Sequence, residues 1–343
     1  MARLLEVSAF DDVLRKRLMR SLQSGNIAFL LGSGASFPAI PTAGAIEAEI
    51  AQLLASGREQ DAYDRLYEFL VTVQEPTNKL VSGNFDESVA TTLGHYEVFL
   101  RTIEEILLAR RTNLLPRQVT IFSTNYDLFV ERGCAACPTV ILNDGFSRAP
   151  GLGWTMEYSS RNFFRTLYSV GNLYDYRVEI PCVNLIKLHG SMSWSKEADT
   201  IALAPGQRDP IPDDTFENKK KFSQSLAVVL PQASKFRETL MDRTYYDLLR
   251  IYANNLDREN TLLVSFGFSF ADEHIRDITT RALKNPTLRM MIFAFDPTAR
   301  DSFARIFDKY SNVEIVWSPS VKLDFPQFNQ ALNQVLHAPS DTR

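Results

Sequence analysis

Asn26 to Ser36, NIAFLLGSGAS, constrains this chain more than any other stretch. Ile27 to Leu31 are apolar without a break, the pattern of a strand buried on both faces of a parallel sheet. The run stops at Gly32-Ser33-Gly34-Ala35-Ser36, and a helical pattern resumes from about Thr42. Strand, glycine turn, helix is an order that lets a backbone approach a phosphate and turns N–H groups toward an anion. The spacing here is GxGxS, so neither the GxGxxG fingerprint nor the GxxxxGK[ST] loop is present. A plain tight turn between a strand and a helix is the alternative reading.

The rest of the chain supplies partners for that strand. Short apolar runs at 119–122, 140–142, 183–188, 261–266, 290–295 and 313–317 read as further strands. Helical periodicity runs over 42–55, 59–73 and 85–110 with no strand between. It also fills 235–256 and the stretch 326–336. An earlier helix is expected over 8–24, with Val13, Leu14, Leu18 and Leu22 inward and Arg15, Lys16, Arg17 and Arg20 on the other face, read as a solvated face or as a docking surface for an acidic partner. The expected fold is one α/β domain over 1–343, a Rossmann-like doubly wound parallel sheet with a helical insertion and no zinc ribbon. The sheet core is assigned to about 20–48, 117–145 and 181–343. The helical insertion is about 49–116, and a loop-rich insertion is about 146–180.

Composition removes several classes of function. The 343 residues carry 37 basic and 41 acidic side chains, net −4, which weakens a nucleic-acid reading, because phosphate binding needs a concentrated basic face. The 45% hydrophobic and 23% charged content is that of a packed globular chain. No apolar run approaches the roughly 20 residues that cross a bilayer. The start, MARLLEVSAFDD, lacks the apolar centre of a signal peptide. Three cysteines, an odd number, suit a reducing compartment, so a cytoplasmic location is expected.

Four expected strand ends carry polar or glycine motifs: GSGAS from Gly32, STNYD from Ser123, KLHGS from Lys187 and GFSFAD from Gly267. A fifth, Asp296, ends a strand in the manner of an acidic residue that holds an adenosine ribose. In a doubly wound sheet such ends converge on one crevice. An imidazole there can accept a hydroxyl proton, and an amide can orient water without adding charge. Each residue also has a structural reading. His189 can be an ordinary half-buried histidine, and Asn125 and Asp127 can cap the helix that follows them. Asp272 is read as the cap of a helix starting near Glu273, and His95, His274 and His337 as structural.

In this order the four motifs resemble the sirtuin (silent information regulator two) family, over roughly 20–48, 117–145 and 181–300. The resemblance implies NAD+ as substrate. Gly32, Ser33, Gly34 and Ser36 would wrap its pyrophosphate. Asn125 would hold the nicotinamide ribose and the attacking water, and Asp127 the carboxamide. His189 would be the general base. Gly267 and Ser269 would line the adenosine side, with Asp296 on a ribose diol. The family's zinc-binding cysteine pairs are reduced to Cys134-Ala135-Ala136-Cys137 with Cys182 remote, so no metal is expected. Thr42-Ala43-Gly44 stands where Asp-Phe-Arg is usual, and Thr124 where Gln is usual. What remains is the part that binds and breaks NAD+. This pattern resembles the sirtuin-like NAD+ hydrolases of bacterial anti-phage defence, which implies a homo-oligomer paired with a HerA-type ring ATPase. A protein deacylase and a non-catalytic NAD or ADP-ribose module are the two other readings.

Overall fold

The computed structural model describes residues 1–7, 18–19, 21–23, 25–42, 44–110, 115–147, 156–171, 177–197, 200–203, 215–228 and 243–336. The expected helix over 8–24 falls mostly outside them, although Leu18 and Leu22 are described and buried. In chain order the strands are β1 (Arg3–Glu6), β2 (Asn26–Leu31), β3 (Gln118–Ser123), β4 (Ile141–Asn143), β5 (Met156–Glu157), β6 (Tyr168–Val170) and β7 (Arg177–Glu179). They continue with β8 (Cys182–Lys187), β9 (Gly190–Glu197), β10 (Thr200–Leu203), β11 (Leu226–Val228), β12 (Thr261–Phe266), β13 (Arg289–Phe293) and β14 (Val313–Trp317). The helices are α1 (Gly44–Ala55), α2 (Glu59–Ser82), α3 (Glu87–Ala109), α4 (Phe129–Gly133) and α5 (Phe216–Ser225). They end with α6 (Arg243–Leu256), α7 (Glu273–Ala282), α8 (Pro297–Phe307) and α9 (Phe325–Leu336).

Eight strands form one parallel sheet in the order β1-β14-β13-β12-β2-β3-β8-β4. The chain leaves β2 toward β3 and β8, then returns to the other side of β2 at β12. The switch point therefore lies at the carboxyl ends of β12, β2 and β3, where open α/β sheets take ligands. The alternation along β2 explains the double winding. Ile27, Phe29 and Leu31 enter one buried cluster, with α2, α3 and α9. Ala28 and Leu30 enter the other, with α6, α7 and α8. Both faces are dry, which is why β2, β8 and β12 have no polar alternation.

The helical insertion is thus the layer that covers one face of the sheet in the β2–β3 crossover. Aromatic side chains fasten it. Phe99 of α3 meets Phe29 of β2 edge-on at 5.0 Å, and Phe266 stacks on Phe328 of α9 at 4.6 Å. Each such ring contributes about 2–3 kcal/mol through burial alone.

The structure corrects three expectations. Helix α2 does not stop at 73 but runs through Pro76 to Ser82, because Val73, Pro76, Thr77 and Leu80 share a buried face. That burial outweighs the lost N–H bond of the proline. The N-terminal residues Arg3–Glu6 add an edge strand to β14. Within the range assigned to sheet core and loops, a separate antiparallel sheet forms in the order β11-β9-β10-β5, and β6 and β7 form a further two-stranded sheet.

Two loops at the switch point touch through glycine. A Cβ on Gly32 would lie 2.5 Å from Gly267 O, and one on Gly267 would lie 2.6 Å from Ala35 N. Gly267 also has φ +67°, a region that L-residues rarely adopt. Gly267→Ala is expected to lower stability by about 2–4 kcal/mol, from left-handed strain plus the backbone clash. Urea unfolding of the two proteins checks this.

Candidate active site

The loops after β12, β2, β3 and β8 lie side by side, because those strands are neighbours. Backbone bonds lock them together. Gly34 N–H donates to Gly267 O (2.9 Å), Gly32 N–H to Phe266 O (3.1 Å) and Thr124 N–H to Leu31 O (3.0 Å). Leu188 N–H donates to Ser123 O at 2.8 Å, and Met192 N–H to Tyr126 O at 2.9 Å. After β2 the chain makes a 3-10 turn, Ser33–Ser36, and α1 begins only at Gly44. The glycines of GSGAS serve the contact between loops, with the N–H groups of Gly32, Gly34 and Ala35 already bonded inside the protein.

Ser36 is the hub of the site. Its hydroxyl donates to Asp127 Oδ2 at 2.6 Å and accepts from Asn125 Nδ2 at 2.9 Å. It also lies 3.1 Å from the Tyr96 hydroxyl. One donor and two acceptor positions are all a hydroxyl has, so Ser36 Oγ is saturated. Any contact from Ser36 to a ligand must come from its backbone. Asn125 Nδ2 places its second hydrogen on Gly32 O at 2.9 Å. Asp127 Oδ1 accepts from Phe129 N at 3.2 Å and so starts α4. Ser36, Asn125 and Asp127 are all buried.

Tyr96 comes from α3, inside the region the sequence reading left out of the site. Its ring stacks on Phe129 at 5.3 Å and 4°, and burial holds its phenol well above the usual range, as a neutral donor. Periodicity marks Tyr96 as a core position, and nothing in the local sequence reveals that its hydroxyl reaches the β2 and β3 loops.

Lys187, the last residue of β8, is a second addition. It is buried, and its ammonium donates to the backbone carbonyls of Asp127 and of Asn125 (3.3 Å for the latter). A cation thus clamps the STNYD loop from below. Glu131 of α4 sits 3.4 Å from Lys187 Nζ. Burial pushes its carboxyl up to about 7, only partly offset by Lys187, with Asp127 and Asp144 adding to the rise.

His189 follows β8 and is buried. Gly190 after it has φ +80°, and a Cβ there would fall 2.0 Å from Ala227 O, so the His-Gly pair is fixed by its approach to β11. The imidazole Nε2 lies 3.0 Å from Asp272 Oδ2. Asp272 does cap α7, accepting from His274 N and Ile275 N through Oδ1, as the sequence indicated. Its contact with His189 is new. Ser269 is exposed and accepts from Ala271 N at 3.3 Å. Asp296 ends the β13 connection one strand further out, where it caps α8 through Ala299 N at 2.8 Å. Ser33 is half-buried at the turn.

Cys134 and Cys137 lie in and after a 3-10 turn, and Cys182 opens β8. Burial pushes the Cys137 thiol up to about 11 and the Cys182 thiol up to about 12. Among the described residues, no three His, Cys, Asp or Glu side chains gather in a way that could hold a metal ion. No described helix is long and apolar enough to cross a membrane.

An eight-stranded parallel sheet wound on both faces, with polar loops meeting at its switch point, defines a Rossmann-like α/β protein. Residues 119–316 match the SIR2-like domain, more than half of the chain, and the protein belongs to that family. The family points to NAD-related chemistry and is consistent with an NAD-using enzyme. The match takes in Asn125, Asp127, His189, Gly267, Ser269, Asp272 and Asp296 and begins after the Gly32 turn and α1–α3. A search of curated proteins gives no match.

The raised Glu131 carboxyl has a signed consequence. An acid with a folded pKa of about 7, against 4.5 unfolded, is neutral in the fold below both values. Its ionisation then costs stability as pH climbs from about 4.5 to about 7. Glu131→Gln mimics the neutral form. Its melting temperature is expected to match the parent at the acid end of that window and to exceed it above pH 7, by up to about 3 kcal/mol in stability. Thermal melts of both proteins across the window check the sign.

Proposed function

We propose that this chain is an NAD+ glycohydrolase. Water replaces nicotinamide at the anomeric carbon, so the glycosidic C–N bond breaks, a C–O bond forms and one proton is released, giving nicotinamide and ADP-ribose. The observation that carries this reading is that Asn125 and His189 follow the paired strands β3 and β8 at the same end of the sheet, in a chain of the SIR2-like family. Both amide hydrogens of Asn125 are bound, to Gly32 O and Ser36 Oγ. What Asn125 offers a water or a ribose hydroxyl is therefore Oδ1, as an acceptor. His189 takes the proton from the attacking water or a ribose hydroxyl. Nicotinamide leaves readily from an oxocarbenium-like sugar, so the protein's work is to position the sugar and exclude bulk water. At the pyrophosphate, Gly32 and Gly34 would give the close backbone approach, their N–H groups being bonded within the protein, Ser33 would supply the donor and Ser36 would brace the turn. Asp127 would reach the carboxamide, and Gly267, Ser269 and Asp296 the adenosine side.

The cellular role that fits is depletion of NAD+ during phage infection, in a homo-oligomer controlled by a HerA-type ring ATPase in the cytoplasm. This part rests on the resemblance of the motif pattern alone.

Purified protein is incubated with NAD+ and the products are separated by chromatography, with Asn125→Ala and His189→Ala in parallel. Nicotinamide and ADP-ribose from the parent, at least about 100-fold slower in both variants, support hydrolysis. O-acetyl-ADP-ribose formed only with an acetylated peptide identifies a deacylase instead. Absence of turnover both alone and with the ring ATPase, with NAD+ still bound, leaves a binding module.

A further inference from the structure

We propose that Asp272 is the positioning residue of His189, and that it makes Nδ1 the basic nitrogen of the ring. The inference rests on the reading of His189 as general base, and one of its readouts does not. The 3.0 Å contact between Asp272 Oδ2 and His189 Nε2 is a close charge contact, and two lone pairs at that distance would repel, so it favours a proton on Nε2. In the neutral ring the lone pair is then on Nδ1. Among the described residues Nδ1 has no hydrogen-bond partner, and it is not a sealed polar atom. Nδ1 is therefore the nitrogen that can take a proton from a reacting hydroxyl. The imidazolium so formed lies against the Asp272 carboxylate.

The carboxylate is held on two sides. Oδ1 accepts from His274 N at 3.0 Å and Ile275 N at 3.3 Å, which fixes its plane as the cap of α7. Two residues earlier, Phe270 has φ +58°, a left-handed conformation that costs a non-glycine residue about 1–2 kcal/mol. It is maintained because the Phe270 ring is fully buried against Phe268 (4.9 Å) and Phe307 (5.0 Å). The turn therefore delivers Asp272 from the β12 loop across the ends of β2 and β3 to His189 after β8. The side chains of His189 and Asp272 are only 9% and 6% exposed, so water competes little for the bond.

Asp272→Asn separates this role from a purely structural one. Asn caps helices as well as Asp does, so its carbonyl oxygen keeps the bonds from His274 and Ile275. Its NH2 group then faces Nε2, which must become the acceptor, and the ring proton moves to Nδ1. The chain has four histidines, so 15N-labelled imidazoles can be assigned by comparison with His189→Gln. Long-range 1H–15N spectra at a pH where the ring is neutral should show the Nε2–H tautomer in the parent and Nδ1–H in Asp272→Asn. With NAD+, kcat should fall about 10²–10⁴-fold while KM stays within a few-fold and the melting temperature is held. Asp272→Ser, which keeps a cap and removes the carboxylate, should lose activity comparably. An Nδ1–H tautomer in the parent, an unchanged tautomer in Asp272→Asn, or full kcat in an active Asp272→Asn enzyme overturns the proposal. Should the parent not turn over NAD+ at all, the hydrolase reading fails and the tautomer result still decides this one.

Discussion

The Ser36 hydroxyl is the point at which the fold and the site depend on each other. It is buried where β2, β3 and α3 converge, and its hydrogen-bonding positions are filled by two residues of the STNYD loop and one of α3. A buried polar cluster is costly when partly satisfied and rigid when complete. Completion here needs the glycine turn to bring Ser36 down, the STNYD loop to bring Asn125 and Asp127 across, and the helical layer to bring Tyr96 in. The amide of Asn125 is consequently oriented before any ligand arrives. That is the condition under which a single acceptor oxygen can aim a water molecule.

Beneath that cluster lies a second constraint of opposite character. Lys187 is a charged group at the end of a strand whose residues are all buried, and it clamps the loop through backbone carbonyls. Its nearest carboxylate partner, Glu131, is one that burial disfavours as an ion. Replacing such a group by an apolar side chain would suit the sheet better and free the loop. A buried ammonium is retained where the carbonyls of the STNYD loop must be held in place, so stability and loop geometry pull in different directions at one residue.

The sheet was legible because its strands are dry on both faces and so read as continuous apolar runs. β2, β3, β8, β12 and β14 follow directly from that pattern. The edge strand Arg3–Glu6 was not legible, since an exposed RLLE segment carries no such signal. Pro76 hid the second half of α2, because burial of a helix face overrode a local breaker. At the site, residue types and order identified the strand-end loops, and Asp272 was recognised as a cap. Tyr96, Lys187 and the Asp272–His189 contact were hidden for a common reason. Each is a long-range contact, over 60 residues for Tyr96 with Ser36 and 83 residues for His189 with Asp272, and short-range pattern contains no record of such pairings.

The topology explains why these long-range contacts fall where they do. His189 belongs to the half of the sheet that winds outward from β2 through β3 to β8, and Asp272 to the half that returns through β12. Neither half holds both members of the pair. The Gly32–Gly267 contact sets how closely the two halves approach, and the buried turn at Phe270 sets how far the second reaches over the first. The same backbone contacts thus set the spacing of the loops and the place of the imidazole. A ligand seated at the switch point would press on the loops that carry His189, Asn125 and Asp272 together. On the proposed reading, the groups that would seat a ligand and the imidazole that would take a proton are held by one set of backbone contacts.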